Sequence, residues 1–470
     1  MKRRNLVRTP SLCPLAAGLA MAFAGFLAAA QVHARPQHVL APQRDVAAAP
    51  SSKPAGVHGA VVVTNCDDSG PGSLREAYFN AVDQETIDLS ELSCSTISLT
   101  TGALTDSPSA TNVALLGPGK YDLTIDGGNS NRVVVHNGSG YVQLLGLSVT
   151  GGSYNGPYGG GCIYSYGGVA VAYANISACS LSSSGTDHAF GGAIYAKGGV
   201  LLQDAHITAS SAHAASSDSA GGAIWAGGST NVITSTISGN SVAGDGSHYA
   251  RGGGLFALTD VAVFYSTFAD NTADSGGGIF LVGATTEPMV VGNSTISGNH
   301  ARGAGGGLYS KYQPLALSSS TITANTAVFD FGAGAYLASD TDIESTIIAG
   351  NSSQDGLEAS DLGGNAQIAI TGANNLIIAS TLPVPPDTIA ADPMLGPLQD
   401  NGGFSQTHAL LSGSPAIDHG NDTLGADFDQ RGHDDSTSRF GYEREVGASA
   451  DIGAFEFGAP DHIFVDGFDP

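Results

Sequence analysis

The 470-residue chain has little tryptophan, little methionine and little positive charge. Tryptophan occurs once and methionine four times, and 17 lysines and arginines stand against 42 aspartates and glutamates, for a formal net charge of −25 at pH 7. An acidic surface repels the phosphates of nucleic acid and the head groups of anionic lipids. We therefore exclude nucleic acid as a partner.

Glycine is the residue in excess. The chain has 66 glycines, and 42% of its residues are hydrophobic, so the glycine content is about twice that of an average protein. The glycines follow no Gly-X-Y period, which excludes collagen, and the hydrophobic content excludes a disordered chain. Such a composition favours many short strands joined by tight turns.

The N-terminus has the pattern of a secretory signal. The basic stretch "MKRRNLVR" precedes the apolar run Leu12–Ala30, and small residues follow in "VHA" up to Ala34. This order predicts a signal peptide over residues 1–34 and a linker over 35–59. The alternative is a membrane anchor, since the run is nearly long enough to span a bilayer. No later apolar segment is long enough to span a bilayer as a helix, so we expect no transmembrane segment in the mature chain.

Four cysteines remain after cleavage at residue 34. An even number in an exported chain predicts disulfides rather than free thiols. Three pairings are possible, and we favour the two local ones, Cys66–Cys94 and Cys162–Cys179.

A glycine-rich motif that ends on an aromatic residue recurs seven times. It begins with copies such as "GGCIY" and "GGAIY", and its period is about 28 residues. The aromatic residues are Tyr164, Tyr195, Trp225, Phe256, Phe280, Tyr309 and Tyr336. Seven copies at such a period define an internal repeat.

Each copy has a second landmark, an apolar residue between small polar ones, as in "TISGN". These residues are Ile176, Ile207, Ile237, Phe268, Ile296, Ile322 and Ile347. The period-2 alternation indicates strands, and a unit of this size buries its apolar face only against identical neighbours. We therefore predict an all-β parallel β-helix over residues 111–386, with nine or ten coils when two weaker copies before Tyr164 are included.

Two columns follow from stacking the repeats. Asn240, Asn271, Asn299 and Asn325 fall at equivalent turns, and we predict that they form a structural ladder, since Asn tolerates the left-handed region and its amides bond from coil to coil. Thr236, Thr267, Thr295, Thr321 and Thr346 precede the inward apolar residue. We expect them to form an outward column, either a surface that binds glycan or a consequence of the β-propensity of Thr.

The pairing of "GGAI" with "FADN" (Phe268 to Asn271) resembles the passenger repeats of polymorphic outer-membrane proteins of bacteria. That resemblance implies a right-handed β-helix of the pectin lyase-like class on a cell surface. We expect no translocator barrel of the autotransporter kind in this sequence, since a barrel needs many alternating strands of about ten residues.

Both ends of a β-helix need covering. In residues 60–110, Ser73 and Glu76 have capping-box spacing, and the next apolar residues fall on one face of a helix that would cover the first coil. These residues are Leu74, Ala77, Tyr78 and Ala81. The surrounding "VVVTNCDDSGPGSLREAY" resembles the CSLREA-type motif of secreted bacterial β-helix proteins, although Gly72 replaces the leading cysteine of that family.

The C-terminal region resembles a second family. "ADPMLGPLQDNGGFSQTHALLSGSPAIDHG", followed by "FDQRG" and "DIGAFEF", is similar to the choice-of-anchor Q domain, and we assign it to residues 387–457 as a loop-rich cap. The resemblance implies export to the outer surface of a Gram-negative bacterium. Residues 458–470 are either a sorting signal or a disordered acidic tail.

Candidate chemistry is sparse. Asp340, Asp342 and Glu344 alternate along one strand and would share its outer face, so they are candidate Ca²⁺ ligands or a solvated strand edge. His408, Ser414 and Asp418 have the composition of a catalytic triad but no nucleophile elbow, and we interpret them as packing and turn residues. The seven coils hold four cations, Lys197, Arg251, Arg302 and Lys311.

These observations predict an exported, monomeric, non-enzymatic scaffold or adhesin that binds a polysaccharide or a host cell-surface glycan. We expect the protein to require no cofactor. Ca²⁺ is the one candidate for a bound ion. The alternative is a carbohydrate-active enzyme, a polysaccharide lyase or glycoside hydrolase, that acts along the β-helix face.

Overall fold

The computed structural model describes residues 60–107, 109–283, 288–329, 332–353, 358–434, 439–459 and 462–463. These residues form a parallel β-solenoid of about 11 turns. The predicted signal peptide, the linker and most of the tail 458–470 lie outside the described residues. No helix in the described part is long and apolar enough to cross a membrane.

One turn shows how the chain winds. Ile163–Ser165 lies in sheet B, Gly168–Ser177 in sheet A and Ser180–Ser183 in sheet C, and the chain then returns to sheet B through a short fourth sheet, D, at Ala189–Phe190. Each strand pairs in parallel with its equivalent one turn later, as Ile163 does with Ile194.

Sheet A has two strand positions per turn, which we call its first and second arms. It opens with Val61–Val62, and both arms run as one strand in Gly168–Ser177 and Val200–Thr208. The other first-arm strands are Glu85–Asp88, Val113–Leu116, Tyr141–Leu145, Thr230–Ile233, Val261–Phe264, Met289–Gly292, Leu315–Ser318, Thr341–Glu344 and Ile370–Thr371. The other second-arm strands are Thr96–Ser98, Thr124–Asp126, Ser148–Thr150, Thr236–Ser238, Thr267–Ala269, Thr295–Ser297, Thr321–Thr323, Ile347–Ile348 and Leu376–Ile377.

The other three sheets of the solenoid have at most one parallel strand per turn, and the last strand of sheet C, Glu358–Ala359, is antiparallel to Ser352–Ser353. Sheet B consists of Leu104–Thr105, Val134–His136, Ile163–Ser165, Ile194–Ala196, Ile224–Ala226, Leu255–Ala257, Ile279–Leu281, Leu308–Ser310, Ala335–Leu337 and Leu362–Gly364. Sheet C consists of Ser153–Asn155, Ser180–Ser183, Ser211–Ala214, Ser241–Ala243, Thr272–Ala273, His300–Ala301, Thr326–Ala327, Ser352–Ser353 and Glu358–Ala359. Sheet D consists of Tyr158–Gly159, Ala189–Phe190, Ser219–Ala220 and Ala250–Arg251.

The interior is filled by the inward residues of these strands. Ile163, Val171 and Ile176 of one turn belong to the same buried cluster as Ile194, Leu202 and Ile207 of the next. Stacking identical units in this way buries the apolar face that one unit leaves open.

The predicted Asn ladder is present and longer than expected. The Nδ2 of Asn240 donates to Oδ1 of Asn271 at 3.0 Å, and the same bond links Asn271 to Asn299, Asn299 to Asn325 and Asn325 to Asn351 at 2.9 Å. Asp361 ends the ladder as the acceptor for Asn351. These amides are buried and fully bonded, so the ladder is architecture, as predicted.

The reason given for Asn at these turns is wrong. None of the four predicted ladder residues has positive φ; the preceding residue does, with Asp270 at 56° and Ala324 at 57°. That left-handed residue turns the chain from sheet A into sheet C. The asparagines are required because each Oδ1 accepts the backbone N–H of the Asn one turn earlier, which has no strand partner at the corner.

Both favoured disulfides are confirmed. Cys66 bonds to Cys94 beside the N-terminal helix, and Cys162 bonds to Cys179 within one turn. Cys162 and Cys179 are buried in the solenoid core.

The predicted N-terminal helix is Leu74–Phe79, and the Ser73 side chain caps it by accepting the N–H of Glu76. The reciprocal bond differs from a capping box, since Glu76 accepts from Gly72 rather than from Ser73. Leu74 and Tyr78 are buried against the core. The boundary at 110 is too late, because Glu85–Asp88 and Thr96–Ser98 already form a turn paired with the next.

The predicted C-terminal cap, residues 387–457, which we call the C-terminal segment, pairs with the last turn at its start, where Ile389 bridges to Leu376, but most of it lies elsewhere. It runs along the flank of the solenoid and contacts successive turns at Tyr265, Asn293 and Ser345. Its hairpin pairs Leu395–Gln399 with Thr407–Leu410, and a small sheet joins His433–Asp434, Arg439–Gly441 and His462–Ile463. Leu382 and Val384, which precede it, pack on the core at the last turn.

Candidate functional site

The outer face of sheet B carries an unbroken column of aromatic residues. All strands of sheet B after Leu104–Thr105 have three residues, of which the first and third point inward, so the middle one lies on the outer side of the sheet. Seven successive middle residues, paired in register, are the aromatic residues of the sequence repeat: Tyr164, Tyr195, Trp225, Phe256, Phe280, Tyr309 and Tyr336. We call this set the aromatic column. Six steps at the strand spacing give it a length of roughly 29 Å.

The rings of the column stack along the solenoid axis in two groups, one from Tyr164 to Trp225 and one from Phe256 to Tyr336. Centroids lie 5.3 Å apart for Tyr164 and Tyr195 and 4.6 Å for Tyr195 and Trp225. In the later turns the spacings are 5.4, 4.6 and 4.7 Å from Phe256 to Tyr336. Phe256 and Phe280, in the middle of the column, are buried, with exposed fractions of 7% and 3%, whereas the other five rings are partly exposed. The stacking stabilises neighbouring turns.

Exposed tyrosines border the column where sheet B passes into sheet A. Tyr166 is 49% exposed and Tyr312 is 66% exposed. Lys197 Nζ lies 3.9 Å from the ring centroid of Tyr166, and Lys311 Nζ lies 4.6 Å from that of Tyr312. Lys197 lowers the pKa of the Tyr166 hydroxyl. We call these four residues the sheet B rim.

The opposite border has a similar chemistry. Arg251 lies 4.3 Å from the ring of Tyr249, which is 62% exposed, and 3.6 Å from Asp218. Arg132 stacks on Tyr154 at 3.4 Å and donates to the carbonyls of Gly159 and Gly160. Aromatic residues and arginine are enriched at binding surfaces because they combine apolar contact with directed polar groups.

The cations of the solenoid gather around this face. Six lysines and arginines lie within residues 111–386, and five of them border sheet B: Arg132, Lys197, Arg251, Arg302 and Lys311. In a chain of net charge −25 this is a marked asymmetry. All seven aromatic residues define the sequence repeat. The sequence pattern alone did not predict that they form a column on one sheet.

The predicted outward Thr column is wrong as an exposed surface. The exposed fractions are 9% for Thr236, 0% for Thr267, 0% for Thr295, 2% for Thr321 and 0% for Thr346. The C-terminal segment covers the column: Thr267 donates to the carbonyl of Gln406, and Thr295 donates to Oε1 of Gln430. Gly453 approaches Thr321 so closely that a Cβ there would lie 2.9 Å from its hydroxyl.

Thr346 does not belong to the column. Thr321 pairs with Ile347 and Ile322 pairs with Ile348, so the inward residue of this turn is Ile348 and not Ile347 as predicted. Ile347 points outward and packs beneath the C-terminal segment with Ala416 and Ile452. The sequence pattern did not determine the register of this strand, because either of two consecutive isoleucines suits the inward position.

The candidate calcium ligands do not converge. Asp340 accepts the backbone N–H of Ala369, Asp342 accepts the Thr371 hydroxyl, and Glu344 accepts the N–H of Ala373. Each carboxylate thus bonds to the next turn. The described residues contain no group of three His, Cys, Asp or Glu side chains that could hold a metal ion.

His408, Ser414 and Asp418 each have a different partner. His408 lies between Gly396 and Ser297, Ser414 donates to the carbonyl of Pro393, and Asp418 accepts the N–H of Ala448. Burial lowers the pKa of His408. These bonds fit the packing and turn roles predicted for the three residues.

A polar cluster that the sequence did not reveal lies on the early part of sheet A. Lys120 Nζ is 2.9 Å from Asp204 Oδ1, and His206 Nε2 is 3.9 Å from the same oxygen. Burial, and then the charge of Lys120, lower the pKa of His206. The members of this cluster are separated by up to 86 positions in the chain, so no local sequence motif predicts the cluster.

Comparisons of the chain with family models, with curated proteins and with solved structures found no match. The resemblances to the CSLREA-type motif, the passenger repeats and the choice-of-anchor Q domain therefore stay predictions.

Proposed function

We propose that the protein is an exported, non-enzymatic scaffold or adhesin that holds a glycan chain against the outer face of sheet B. The observation that carries this proposal is the aromatic column with its border of exposed tyrosines. Sugar rings pack their C–H faces on aromatic rings and bond through their hydroxyls to phenols and amines. The exposed tyrosines of the border, Tyr166 and Tyr312, offer aromatic contact. The partly exposed tyrosines at the two ends of the column offer phenol groups along the same axis.

The chemistry of this face favours binding over turnover. Hydrolysis of a glycosidic bond needs a carboxylate pair across the bond. In the ten described strands of sheet B, the middle position is Thr, Val, Gly or aromatic and never carries a carboxylate.

The proposal includes export to the outer surface of a Gram-negative bacterium. Two disulfides support an oxidising compartment. In this proposal residues 1–34 direct export, and the C-terminal segment with residues 458–470 serves retention or sorting. Calcium dependence stays a prediction.

A glycan array run beside a polysaccharide-degradation screen, each with and without Ca²⁺, tests the proposal. We expect retention of glycan without release of products. Tyr166→Ala and Tyr312→Ala should each weaken retention about 5-fold, since an exposed aromatic contact contributes about 1 kcal/mol. Tyr121→Ala is the matched control, because Tyr121 is 82% exposed, lies 5.7 Å from Lys120 and belongs to another face. Release of new reducing ends by the wild type would establish an enzyme instead.

One observation favours the enzymatic alternative, namely the cluster of Lys120, Asp204 and His206. A neutral histidine beside a cation has the groups that proton abstraction from a polysaccharide needs. If the degradation screen detects products, His206→Ala should abolish them while leaving the retention of glycan by sheet B unchanged.

A further inference from the structure

The charge of the sheet B rim identifies the class of glycan. Lys197 and Lys311 directly follow their strands and occupy the same column position, one residue beyond the inward Ala196 and Ser310. Four strand steps separate them, or roughly 19 Å along the axis. Gly227, Leu258 and Val282 occupy the positions between them, and all three are partly exposed.

Neither lysine is neutralised within the described part of the chain. No carboxylate there lies within ion-pair distance of Lys197 or Lys311, whereas Arg302 pairs with Asp274 at 3.1 Å and Arg251 with Asp218 at 3.6 Å. Within the residues that the structure describes, the rim therefore holds two lysines without an ion-pair partner, at the ends of an apolar strip beside the aromatic column.

The net charge of −25 repels polyanions at long range. An anionic ligand is therefore favoured by local contacts at this face, where the two lysines attract it. A neutral glycan gains nothing from an ammonium group that a hydroxyl or amide does not supply. A carboxylate or sulfate gains charge-assisted hydrogen bonds, and charges on the glycan pair with both lysines when its chain lies along the axis. Lysine acts as a point charge and favours neither anion by geometry.

We infer that the ligand is an anionic polysaccharide that lies along the sheet B rim, with carboxylate or sulfate groups meeting Lys197 and Lys311 and sugar faces packing on the strip and on Tyr166 and Tyr312. This inference rests on the proposed function, since it names the ligand class of the same face.

Three polymers with one backbone test it: dextran, carboxymethyl-dextran and dextran sulfate, each immobilised and titrated with the full-length secreted protein. We expect one or both anionic forms to bind at least 10-fold tighter than dextran, and salt to weaken that binding. Lys197→Gln and Lys311→Gln should each cost about 3-fold, as for a solvent-exposed ion pair. Arg302→Gln is the matched control, since it removes one charge of the same sign that already has a protein partner.

The outcomes separate the inference from the proposed function. Equal binding of dextran and its anionic forms, or wild-type affinity in both lysine variants, overturns the inference; a loss in Tyr166→Ala would then still support glycan binding. An equal loss in Arg302→Gln also overturns it, because the attraction would then be diffuse. Failure of all three polymers to bind, together with an empty glycan array, overturns both. Circular dichroism and thermal unfolding confirm that each variant is folded.

Discussion

The early and late turns of the solenoid repeat one strand pattern but are held together by different means. In the early turns, residues 141–226, the corner between sheets A and C carries Gly152, Cys179 and Ser210, and the Cys162–Cys179 disulfide crosslinks one turn. In the late turns, residues 255–353, the same corner carries the Asn ladder. There the C-terminal segment also covers the second arm of sheet A.

The difference shows that the solvent exposure of a side chain on this solenoid depends on segments distant in sequence that pack over it. The position of the side chain within the repeat does not determine it. Asn175 and His206, on the second arm of the early turns, are partly exposed, whereas Thr267 and Thr295 at equivalent positions are buried. Their covering partners come from residues up to 163 positions away. Each of the following predictions alters one half and uses the other as its control.

The largest effect is expected for Asn299→Ala in the ladder. The Nδ2 of Asn299 donates to the carbonyl of Phe268 and to Oδ1 of Asn325. Its Oδ1 accepts the backbone N–H and the side-chain Nδ2 of Asn271. Losing these bonds leaves several buried groups unpaired, at a cost of about 3–5 kcal/mol in unfolding free energy. Urea denaturation measures it.

The control for the ladder variant is Ser210→Ala at the same corner of an early turn. Ser210 makes one side-chain bond, to the carbonyl of Thr208, so its removal should cost about 1 kcal/mol or less. Equal losses in the two variants would contradict a special role for the ladder.

Removing the early crosslink should cost slightly less. Cys162→Ala combined with Cys179→Ala opens a loop with a sequence separation of 17, which predicts a loss of about 3 kcal/mol. Hydrogen exchange should rise in residues 141–226 and stay unchanged in residues 255–353. Uniform acceleration across both halves would mean that the turns unfold as one unit and that the two halves have no separate stabilisation.

Gln430→Ala should loosen the packing of the C-terminal segment on the late turns and lower the free energy of unfolding by about 2 kcal/mol. Gln430 is fully buried; its Nε2 donates to Thr267 and Ser405, and its Oε1 accepts from Thr295. Exchange should then rise near residues 265–297 but not at the equivalent early residues 174–208. Gln399→Ala, on the exposed hairpin of the same segment, is the control and should change nothing measurable.

The strands were predictable because their signal is local. Glycine before an aromatic residue and alternation around Ile296 depend on neighbours within a few positions, so the repeat and the Asn ladder followed from sequence. The cover over Thr267 and the cluster of Lys120 with Asp204 depend on contacts across many turns, which no local pattern encodes. The register at Ile347 and Ile348 was ambiguous because either residue suits an inward position, and only the docked segment, with Ile452, distinguishes them.

The smallest effect is expected from pH, through the same cover. Burial, together with the neighbouring charge of Asp451, raises the pKa of Glu456 to about 8, although the N–H groups of Val446 and Asp451 that its two oxygens accept act in the opposite direction. A pKa raised in the folded state adds stability that is complete below the ordinary value of 4.5 and is lost as pH rises towards 8. The wild type should therefore lose about 1 kcal/mol between pH 7 and pH 9. Protection from hydrogen exchange, taken relative to the intrinsic exchange rate at each pH, should fall in the late turns alone. Glu456→Gln should flatten this slope whatever its absolute stability, because an amide does not titrate. A slope equally steep in the variant would assign the pH dependence to other buried carboxyls of the segment, such as Asp429, whose pKa burial also raises.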